Sequence, residues 1–271
     1  MIEYTFKDGG EIKKMELYFD SFQSKCVYNK IGFETGYNEQ LKQTFSGFTI
    51  SFKQYDSIGI IIYRNFFEKN LLIRYLKVSG LSPFLVTDNW VDMNWKLSKR
   101  KKNILGYKCF KASTDFRGRK YVVWYTTSIP LPYGPWKFCG LPGIILLAYD
   151  TDKLFEWKAI QLSLESNTPI SPPYEAEHKD LKQFVYYLDN QLEFVYERIK
   201  KKSDSLNINK PSNKQIIVGD FQRFTSVGWE RKKRLEVKYE FEKNIPFQIE
   251  DYLKKQKNSS DSTYYFNFER K

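Results

Sequence analysis

One stretch of this sequence specifies the fold most tightly: Tyr133-Gly134-Pro135-Trp136-Lys137-Phe138-Cys139-Gly140-Leu141-Pro142-Gly143-Ile144-Ile145-Leu146. Its glycines and prolines restrict the backbone to sharp turns, and its aromatic side chains are large enough to hold those turns in place. Pro142-Gly143 suits the two central positions of a type II turn, where proline presets φ and glycine accepts a positive φ. Gly134-Pro135 marks a second break. The stretch predicts a fixed local geometry, but it identifies no reaction.

Strands are predicted on both sides of this stretch. Lys120–Thr127 and Ile144–Tyr149 are expected to be neighbouring strands, and Asp150–Lys153 is expected to be the hairpin turn that follows. Residues 1–170 read as a β-rich core of strands separated by short polar breaks, which is typical of an antiparallel meander. Because both named strands are apolar on both faces, either a second layer covers them or the sheet curls around a cavity.

A helix is predicted after this β-rich core, at about residues 178–202. Its apolar residues recur at the spacing of a helical turn: Leu181, Phe184, Val185, Leu188, Leu192, Val195 and Ile199. Such a stripe usually packs on its own domain, and a groove on a partner protein is the alternative. A linker or long loop follows at residues 203–214. Residues 215–271 form a C-terminal segment with a strand at Arg234–Phe241 and a mobile polar tail.

The sequence therefore predicts a single domain over residues 1–271 of the mainly β class. The expected architecture is an antiparallel curved sheet or half-barrel with one long amphipathic helix. The composition agrees, because 41% of the residues are hydrophobic and 18% are aromatic, which suits strands around a sizeable core. No apolar run approaches the roughly 18 residues that a transmembrane helix needs.

The net charge of +12 comes mostly from lysine. Specific nucleic-acid sites rely on arginine for bidentate contacts, so we predict no specific nucleic-acid partner. The densest basic run, Lys96–Lys102, is interpreted as a solvated turn.

At the N-terminus no signal peptide is visible, because Met1 leads directly into Ile2-Glu3-Tyr4-Thr5-Phe6 without an apolar core segment.

Several segments in and before the opening stretch carry a resemblance to a known family. One run reads Gly140-Leu141-Pro142-Gly143-Ile144-Ile145. Upstream of it lie Trp95, Leu105–Ala112, Gly118-Arg119, Trp124–Thr126 and Ile129-Pro130. In this order they resemble the GLPGLI family of uncharacterised β-rich proteins from Gram-negative envelopes, over roughly residues 95–150. This chain has Ile where the family usually has Leu. The motif residues interpreted as structural are Gly106, Tyr107, Cys109, Lys111, Gly134, Pro135, Gly140, Leu141, Pro142 and Gly143.

The resemblance implies a location in the periplasm or cell envelope and leaves the mechanism open. A chain without a visible signal is then a mature form, a truncated gene model or a cytoplasmic relative. In an oxidising envelope a Cys109–Cys139 disulfide is the pairing to test, since both cysteines lie in the resembling region. Buried free thiols are the alternative. A component of outer-membrane transport or export fits such a location as a partner.

The sequence offers no catalytic constellation. A serine or cysteine triad needs a base, and the one histidine, His178, lies among hydrophilic neighbours at the start of the predicted helix. Three cysteines without paired spacing and one histidine predict no metal site, and nothing indicates a cofactor. Carboxylate pairs for a hydrolase cannot be identified among 32 acidic residues.

The aromatic cluster beside the turns is the best functional candidate. It is interpreted either as the mouth of an apolar pocket or peptide groove, or as a core cluster that locks the turns. The candidate ligand-binding residues are Arg119, Trp124, Tyr125, Tyr133 and Trp136. The leading hypothesis is a non-enzymatic envelope binding or accessory protein with an apolar or peptide ligand. A hydrolase with unidentified carboxylates is the alternative, and a nucleic-acid-binding protein is a weaker one.

Overall fold

The computed structural model describes residues 1–28, 30, 40–45, 48–53, 56–76, 82–90, 92–165, 168–209 and 211. The fold is mainly β. The strands are β1 (Ile2–Asp8), β2 (Glu11–Phe19), β3 (Gln23–Tyr28), β4 (Gln40–Phe45), β5 (Phe48–Lys53), β6 (Ile60–Asn65), β7 (Asn70–Tyr75), β8 (Phe84–Asp88), β9 (Lys96–Ile104), β10 (Tyr107–Phe116), β11 (Arg119–Thr126), β12 (Ile144–Asp150), β13 (Phe155–Leu162) and β14 (His178–Asp180). A helix, α1, spans Leu181–Asn207. The predicted C-terminal segment, 215–271, lies outside the described residues.

One large open sheet of 12 strands dominates the structure, in the order β14-β8-β7-β6-β3-β2-β1-β13-β12-β11-β10-β9. Its neighbouring strands are antiparallel, except that β14 runs parallel to β8. The first strand, β1, lies in the middle of the sheet, where it pairs with β2 on one side and β13 on the other. The predicted pairing of β11 with β12 is confirmed. Strands β4 and β5 form a separate two-stranded hairpin.

The sheet bends enough to bring its two ends together. Asp88, at the end of β8, accepts hydrogen bonds of 2.7 and 2.9 Å from Arg117, which lies in the turn between β10 and β11. Strands β8 and β10 are each one place from opposite edges of the sheet. The segment between β11 and β12, residues 127–143, fills the space between the two halves. We call this segment the motif loop.

The glycine at the end of the motif loop is required for a reason other than the one predicted. A type II turn would give Gly143 a positive φ, but the glycine of this motif with a positive φ is Gly140, at +86°. A Cβ atom built on Gly143 would lie 2.0 Å from the carbonyl oxygen of Thr126 and 2.6 Å from its carbonyl carbon. The backbone of β11 therefore passes too close to Gly143 for any side chain to fit.

Helix α1 begins three residues later than the predicted start, because residues 178–180 form β14. Asp180 caps the helix: its side chain accepts a hydrogen bond from the Gln183 backbone N–H, and the Gln183 side chain accepts one from the Asp180 backbone N–H. The first turns bury Phe184 and Tyr187, which pack on Phe84 of β8 with ring centroids 6.1 and 5.2 Å apart. None of the helices in the described ranges has the length and apolar character that crossing a membrane requires.

The basic run Lys96–Lys102 is not a turn, so its interpretation as one is wrong. These residues belong to β9, the edge strand of the sheet, and most of their side chains are exposed. The pairing of β9 with β10 shifts register beside Phe110 and Ala112. Lysine-rich edge strands are common because their charges discourage contact with other sheets. The high lysine content disguises a strand that hydrophobic periodicity does not detect.

Candidate functional site

The structure separates the five candidate binding residues into an inner and an outer group. Arg119, Tyr125, Tyr133 and Trp136 are all buried, whereas Trp124 is half-buried. The separation follows from strand geometry, since successive side chains point to opposite faces of a strand. Tyr125 therefore faces the interior while its neighbour Trp124 faces outward. The structure does not bring these five residues together into one pocket.

Trp136 lies at the centre of the aromatic core. Its ring packs edge-on against Phe138, with centroids 5.1 Å apart, and stacks on Trp157 of β13 at 5.8 Å. It also contacts Tyr121 at 5.6 Å. Aromatic pairs at these distances and angles stabilise a core beyond the area they bury. In the structure, Trp136 therefore holds the motif loop between the halves of the sheet.

Tyr133 occupies a second aromatic group at the edge of this core. Its ring lies 5.0 Å from Phe66 and 6.2 Å from Phe19, and Phe66 in turn contacts Trp90. Burial raises the pKa of Tyr133, and the negative charge of Asp20 raises it further. The Tyr133 hydroxyl has no hydrogen-bond partner among the described residues. Tyr133 is therefore a neutral core side chain at ordinary pH.

Arg119 is held by a carboxylate and does not face an open pocket. Its guanidinium donates to Asp150 at 2.9 Å and to Asp152 at 3.5 Å, and it lies over the ring of Phe155. Asp150 also accepts a hydrogen bond from the Phe155 backbone N–H, and its carbonyl accepts one from Lys153. The predicted hairpin turn at 150–153 is thus confirmed, and Arg119 fastens it to β11.

A buried ionic cluster anchors the motif loop, and the sequence gives little sign of it. Lys137 is fully buried and donates to Asp88 at 2.6 Å, while Arg64 of β6 donates to the carbonyls of Lys137 and Phe138. Burial opposes ionisation of Asp88, but Lys137 and Arg117 outweigh it and hold its pKa well below the usual range. Lys137 therefore lies inside the protein, where it cannot supply charge to an open pocket.

The remaining candidate, Trp124, belongs to an apolar patch on the outer surface of the sheet. The patch, which we call the Trp124 face, consists of Val122 and Trp124 on β11 and Leu147 and Tyr149 on β12. Trp124 pairs with Leu147 and Val122 pairs with Tyr149, so the four side chains share one face. Val122, Trp124 and Tyr149 are half-buried, and Leu147 is 9% exposed. This face realises the prediction that β11 and β12 are apolar on both sides.

Three lysines surround the Trp124 face. The Lys102 ammonium lies 4.5 Å from the centroid of the Trp124 ring, a distance typical of a cation–π contact. Lys111 of β10 pairs directly with Trp124. Lys158 of β13 pairs with Leu147 and is exposed. The face thus combines a central aromatic surface with positive charge on both sides.

The ionisation of Lys102 reflects this crowding. Burial lowers the pKa of Lys102 and the charge of Lys158 lowers it further, while Cys109 and Glu156 act in the opposite direction. The indole N–H of Trp124 is buried and has no hydrogen-bond partner in the described part of the chain. A shielded lysine and an unpaired donor beside one ring indicate a surface whose polar groups are incompletely satisfied.

Cys26, Cys109 and Cys139 are all buried free thiols in the structure, which therefore lacks the Cys109–Cys139 disulfide considered from the sequence. Burial raises the pKa of Cys26 to about 12 and that of Cys109 to about 11. Both thiols are protonated at neutral pH, so they are poor nucleophiles and poor metal ligands. Within the described ranges, no group of three potential metal-binding side chains comes together.

Buried carboxylates in the described residues are paired with cations. Asp88 contacts Arg117 and Lys137, and Asp150 contacts Arg119. The Arg74 guanidinium forms an ion pair with the carboxylate of Asp56 at 2.5 Å. An ion pair favours the ionised carboxylate, whereas a glycosidase-type general acid must hold its proton. These carboxylates suit a structural role better than an acid–base role.

The chain is similar to an uncharacterised family and to solved structures of PNGF-II. A model of an uncharacterised family, described as "Protein of unknown function (Porph_ging)", matches residues 115–147. No curated protein matches the chain significantly. Two solved structures of PNGF-II, in its P21 and C2 space groups, are 15% and 16% identical to the chain, with TM-scores of 0.49 and 0.44. The alignments cover 70% of this chain and 33% and 32% of the PNGF-II chains. This chain therefore spans about a third of the PNGF-II length.

The matched family segment contains the motif loop and strand residues on either side of it. Residues 115–147 run from the end of β10 through β11 and the motif loop into β12. They include Trp124, Trp136 and the Gly140–Gly143 turn. The family model therefore covers part of the aromatic core and three of the four residues of the Trp124 face, Val122, Trp124 and Leu147, and it assigns a function to neither.

Proposed function

We propose that this protein is a non-enzymatic binding or accessory protein of the cell envelope, and that its Trp124 face binds a peptide with apolar and acidic side chains. The envelope location rests on the resemblance of residues 95–150 to the GLPGLI family. A component of outer-membrane transport or export is the class of partner that would present such a peptide.

One observation carries the proposal: the Trp124 face is an apolar surface that the rest of the described chain leaves half open. The opposite face of the same strands is filled by Trp136, Phe138 and Trp157. On the outer side, by contrast, the ring of Trp124 is covered partly by Lys102, a side chain that can move away. Half-exposed aromatic residues at the centre of a surface patch are frequent anchors for protein ligands.

The charge around the face selects the chemistry of the ligand. Lys102, Lys111 and Lys158 supply three positive charges, and Glu156 on β13 supplies one negative charge. A carboxylate on the ligand would be attracted to these lysines, and an apolar side chain would pack on Trp124 and Tyr149. A basic ligand would be repelled, and an uncharged polar one would gain little from either feature.

The proposal is tested by measuring the binding of three fluorescent, terminally blocked peptides by anisotropy. One alternates Glu with Leu, one alternates Lys with Leu, and one alternates Glu with Ser. We expect the Glu/Leu peptide to bind most tightly. The variant Trp124→Ala should weaken that binding at least tenfold, while Tyr174→Ala, which removes an aromatic side chain that is 82% exposed elsewhere, should not.

A second variant protects the test against a folding defect in Trp124→Ala. Lys158 is exposed, so Lys158→Glu should leave the fold intact and still weaken binding of the Glu/Leu peptide. Circular dichroism and the denaturation midpoint check the fold of each variant. Equal binding of all three peptides, or binding that none of these substitutions changes, would contradict the proposal.

A further inference from the structure

The sheet ends in two edges of very different length. At one end β14 has 3 residues and is followed at once by α1. At the other end β9 has 9 residues and pairs with β10 on one side, with no described strand on its other side. An edge strand presents a row of unpaired N–H and C=O groups that another extended chain can use. The long edge is therefore the place where the sheet can grow.

We propose that the acidic segment of the ligand peptide binds by adding a strand to β9 at Lys101–Ile104. Because β10 lies between β9 and the Trp124 face, a flanking apolar segment of the peptide, and not the added strand, contacts Trp124. This inference rests on the proposed function, which it makes specific by naming the binding mode. The four residues pair one to one with Phe110, Cys109, Lys108 and Tyr107 in an unbroken ladder. The register shift lies on the N-terminal side of Lys101, between Leu97 and Lys101. The four residues Lys101–Ile104 therefore keep regular strand geometry and present a regular outer edge.

The charge of β9 indicates which strand it accepts. It contains Lys96, Lys99, Arg100, Lys101 and Lys102 and no acidic residue. Within the described part of the chain, Lys96 is the member of this set that has an acidic partner, Asp115, at 3.6 Å. Opposite charges directly across two paired strands stabilise the pair, and like charges destabilise it. An acidic strand would therefore be favoured on this edge.

The same argument disfavours a second copy of this protein as the occupant. Pairing β9 with β9 of another copy would bring the two basic segments together without a compensating carboxylate. Nucleic acid would satisfy the charge, but it cannot form the backbone hydrogen bonds that a strand edge offers. An extended acidic peptide satisfies both the charge and the backbone.

The pairing of β9 with β10 also predicts the order of side chains in the peptide. Lys102 and Ile104 lie on the side of β9 that faces Trp124, and Lys101 lies on the other side, over the ring of Phe110 at 5.6 Å. A strand added to β9 should therefore place acidic residues opposite Lys101 and Lys102. Opposite Ile104 it should place an apolar residue, which would extend the Trp124 face. In antiparallel orientation this is the sequence Val-Ser-Glu-Glu.

The experiment compares three terminally blocked, fluorescent octapeptides that contain Val-Ser-Glu-Glu. One is unmodified, and the other two are N-methylated at alternate residues, on the even positions in one and the odd positions in the other. In an added strand, alternate N–H groups point toward β9, so one isomer loses those hydrogen bonds and the other keeps them. We expect one isomer to bind at least tenfold more weakly than the unmodified peptide, and the other to bind within about threefold.

Amide hydrogen exchange of the full chain provides a second readout. The unmodified peptide should slow exchange of the outward-facing amides among Lys101–Ile104, and should leave the amides of β14, at the opposite edge of the sheet, unchanged. Matched binding of both methylated isomers, with no protection in β9, would overturn strand addition while leaving a ligand on the Trp124 face. Failure of every peptide to bind would instead overturn the proposed function itself.

Two further outcomes would also overturn the inference. Dimerisation in sedimentation experiments, with protection of β9 in the absence of peptide, would make a second copy the occupant. Tighter binding of single-stranded DNA than of the acidic peptide, at the same charge and salt concentration, would make the edge a general polyanion surface. A protein that stays monomeric and binds single-stranded DNA more weakly than the acidic peptide would support the peptide as the occupant of β9.

Discussion

At the scale of single residues, two glycines in this chain are needed for different physical reasons. Gly106, in the turn between β9 and β10, has a φ of +80° and open space where a Cβ would be. Gly143 lacks a positive φ, yet a Cβ there would lie 2.0 Å from a carbonyl oxygen. The first glycine provides conformational freedom and the second provides space.

This difference leads to a prediction about stability. Gly106→Ala should cost about 1 kcal/mol, because alanine tolerates a positive φ at a modest energetic cost. Gly143→Ala should cost more, about 2–4 kcal/mol, because the clash is with the backbone of Thr126 and no side-chain rotation can relieve it. Denaturant titration of both variants measures the two free energies of unfolding. Equal losses would show that the close approach at Gly143 is not important.

The residue scale also shows where sequence reasoning fails. Pro-Gly correctly marks a tightly constrained turn, but the reason for the glycine depends on β11, which approaches from elsewhere in the chain. Lys137 gives a similar lesson. A lysine beside a tryptophan is usually solvated, and its burial depends on Asp88, 49 residues away in sequence. Local patterns do not contain the partner that makes such burial tolerable.

At the scale of elements, the motif loop is fastened to β8 by the Lys137–Asp88 pair. Asp88→Asn should destabilise the protein by about 3–5 kcal/mol, because Lys137 would stay buried without that carboxylate. Replacing both partners, as Asp88→Asn with Lys137→Met, should cost less than Asp88→Asn alone, since position 137 would no longer hold a buried charge. Thermal or chemical denaturation of the two variants measures this difference. A double variant less stable than the single one would contradict the role of the pair.

The same pair has a defined pH dependence. The folded-state pKa of Asp88 is lowered, so its ionised form stabilises the folded protein at every pH above the unfolded value of about 4. That contribution is lost as the pH falls toward the folded-state pKa. The stability advantage of the natural protein over Asp88→Asn should therefore be constant near neutral pH and shrink below about pH 4.

Strands with clear apolar patterns could be predicted from the sequence, and those with unusual composition could not. The predicted strands 120–127 and 144–149 correspond closely to β11 (Arg119–Thr126) and β12 (Ile144–Asp150). Most of strand β9 was missed because its lysines interrupt the apolar alternation of a typical strand. The pattern also could not show which face of β11 is the interior, since Trp124 and Tyr125 are both large aromatic residues. That choice depends on the motif loop, which fills one side and leaves the other open.

At the scale of the whole molecule, many ionisable side chains are buried in their neutral form. Burial raises the pKa of Tyr4, Tyr28 and Tyr121 well above the usual value of tyrosine, and raises that of Cys26 to about 12. Each group releases its proton more easily in the unfolded chain than in the folded protein. The unfolded state is therefore favoured increasingly as the pH rises above these groups' unfolded pKa values, about 9–10.

We therefore expect the denaturation midpoint to fall steeply between pH 9 and pH 11. Cys26→Ala should make this fall less steep, because it removes one of the contributing groups. Cys109→Ala is the matched comparison, with a smaller effect expected because the pKa of Cys109 is raised only to about 11. A midpoint that stays constant up to pH 11 would mean that these side chains can ionise without unfolding the protein.

The central place of β1 has a consequence for how this sheet forms. On one side of β1 the sheet continues through β2, β3, β6, β7, β8 and β14, and on the other side through β13, β12, β11, β10 and β9. Within the described sheet, the pairing of β1 with β13 joins these two halves. Thr5 and Lys158, which pair in that ladder, are 153 residues apart. Closing so long a loop is slow, so refolding should be limited by this one pairing. During synthesis, β1 must therefore wait with one edge open, and Ile2, Tyr4 and Phe6 exposed to other chains, until the ribosome has made β13.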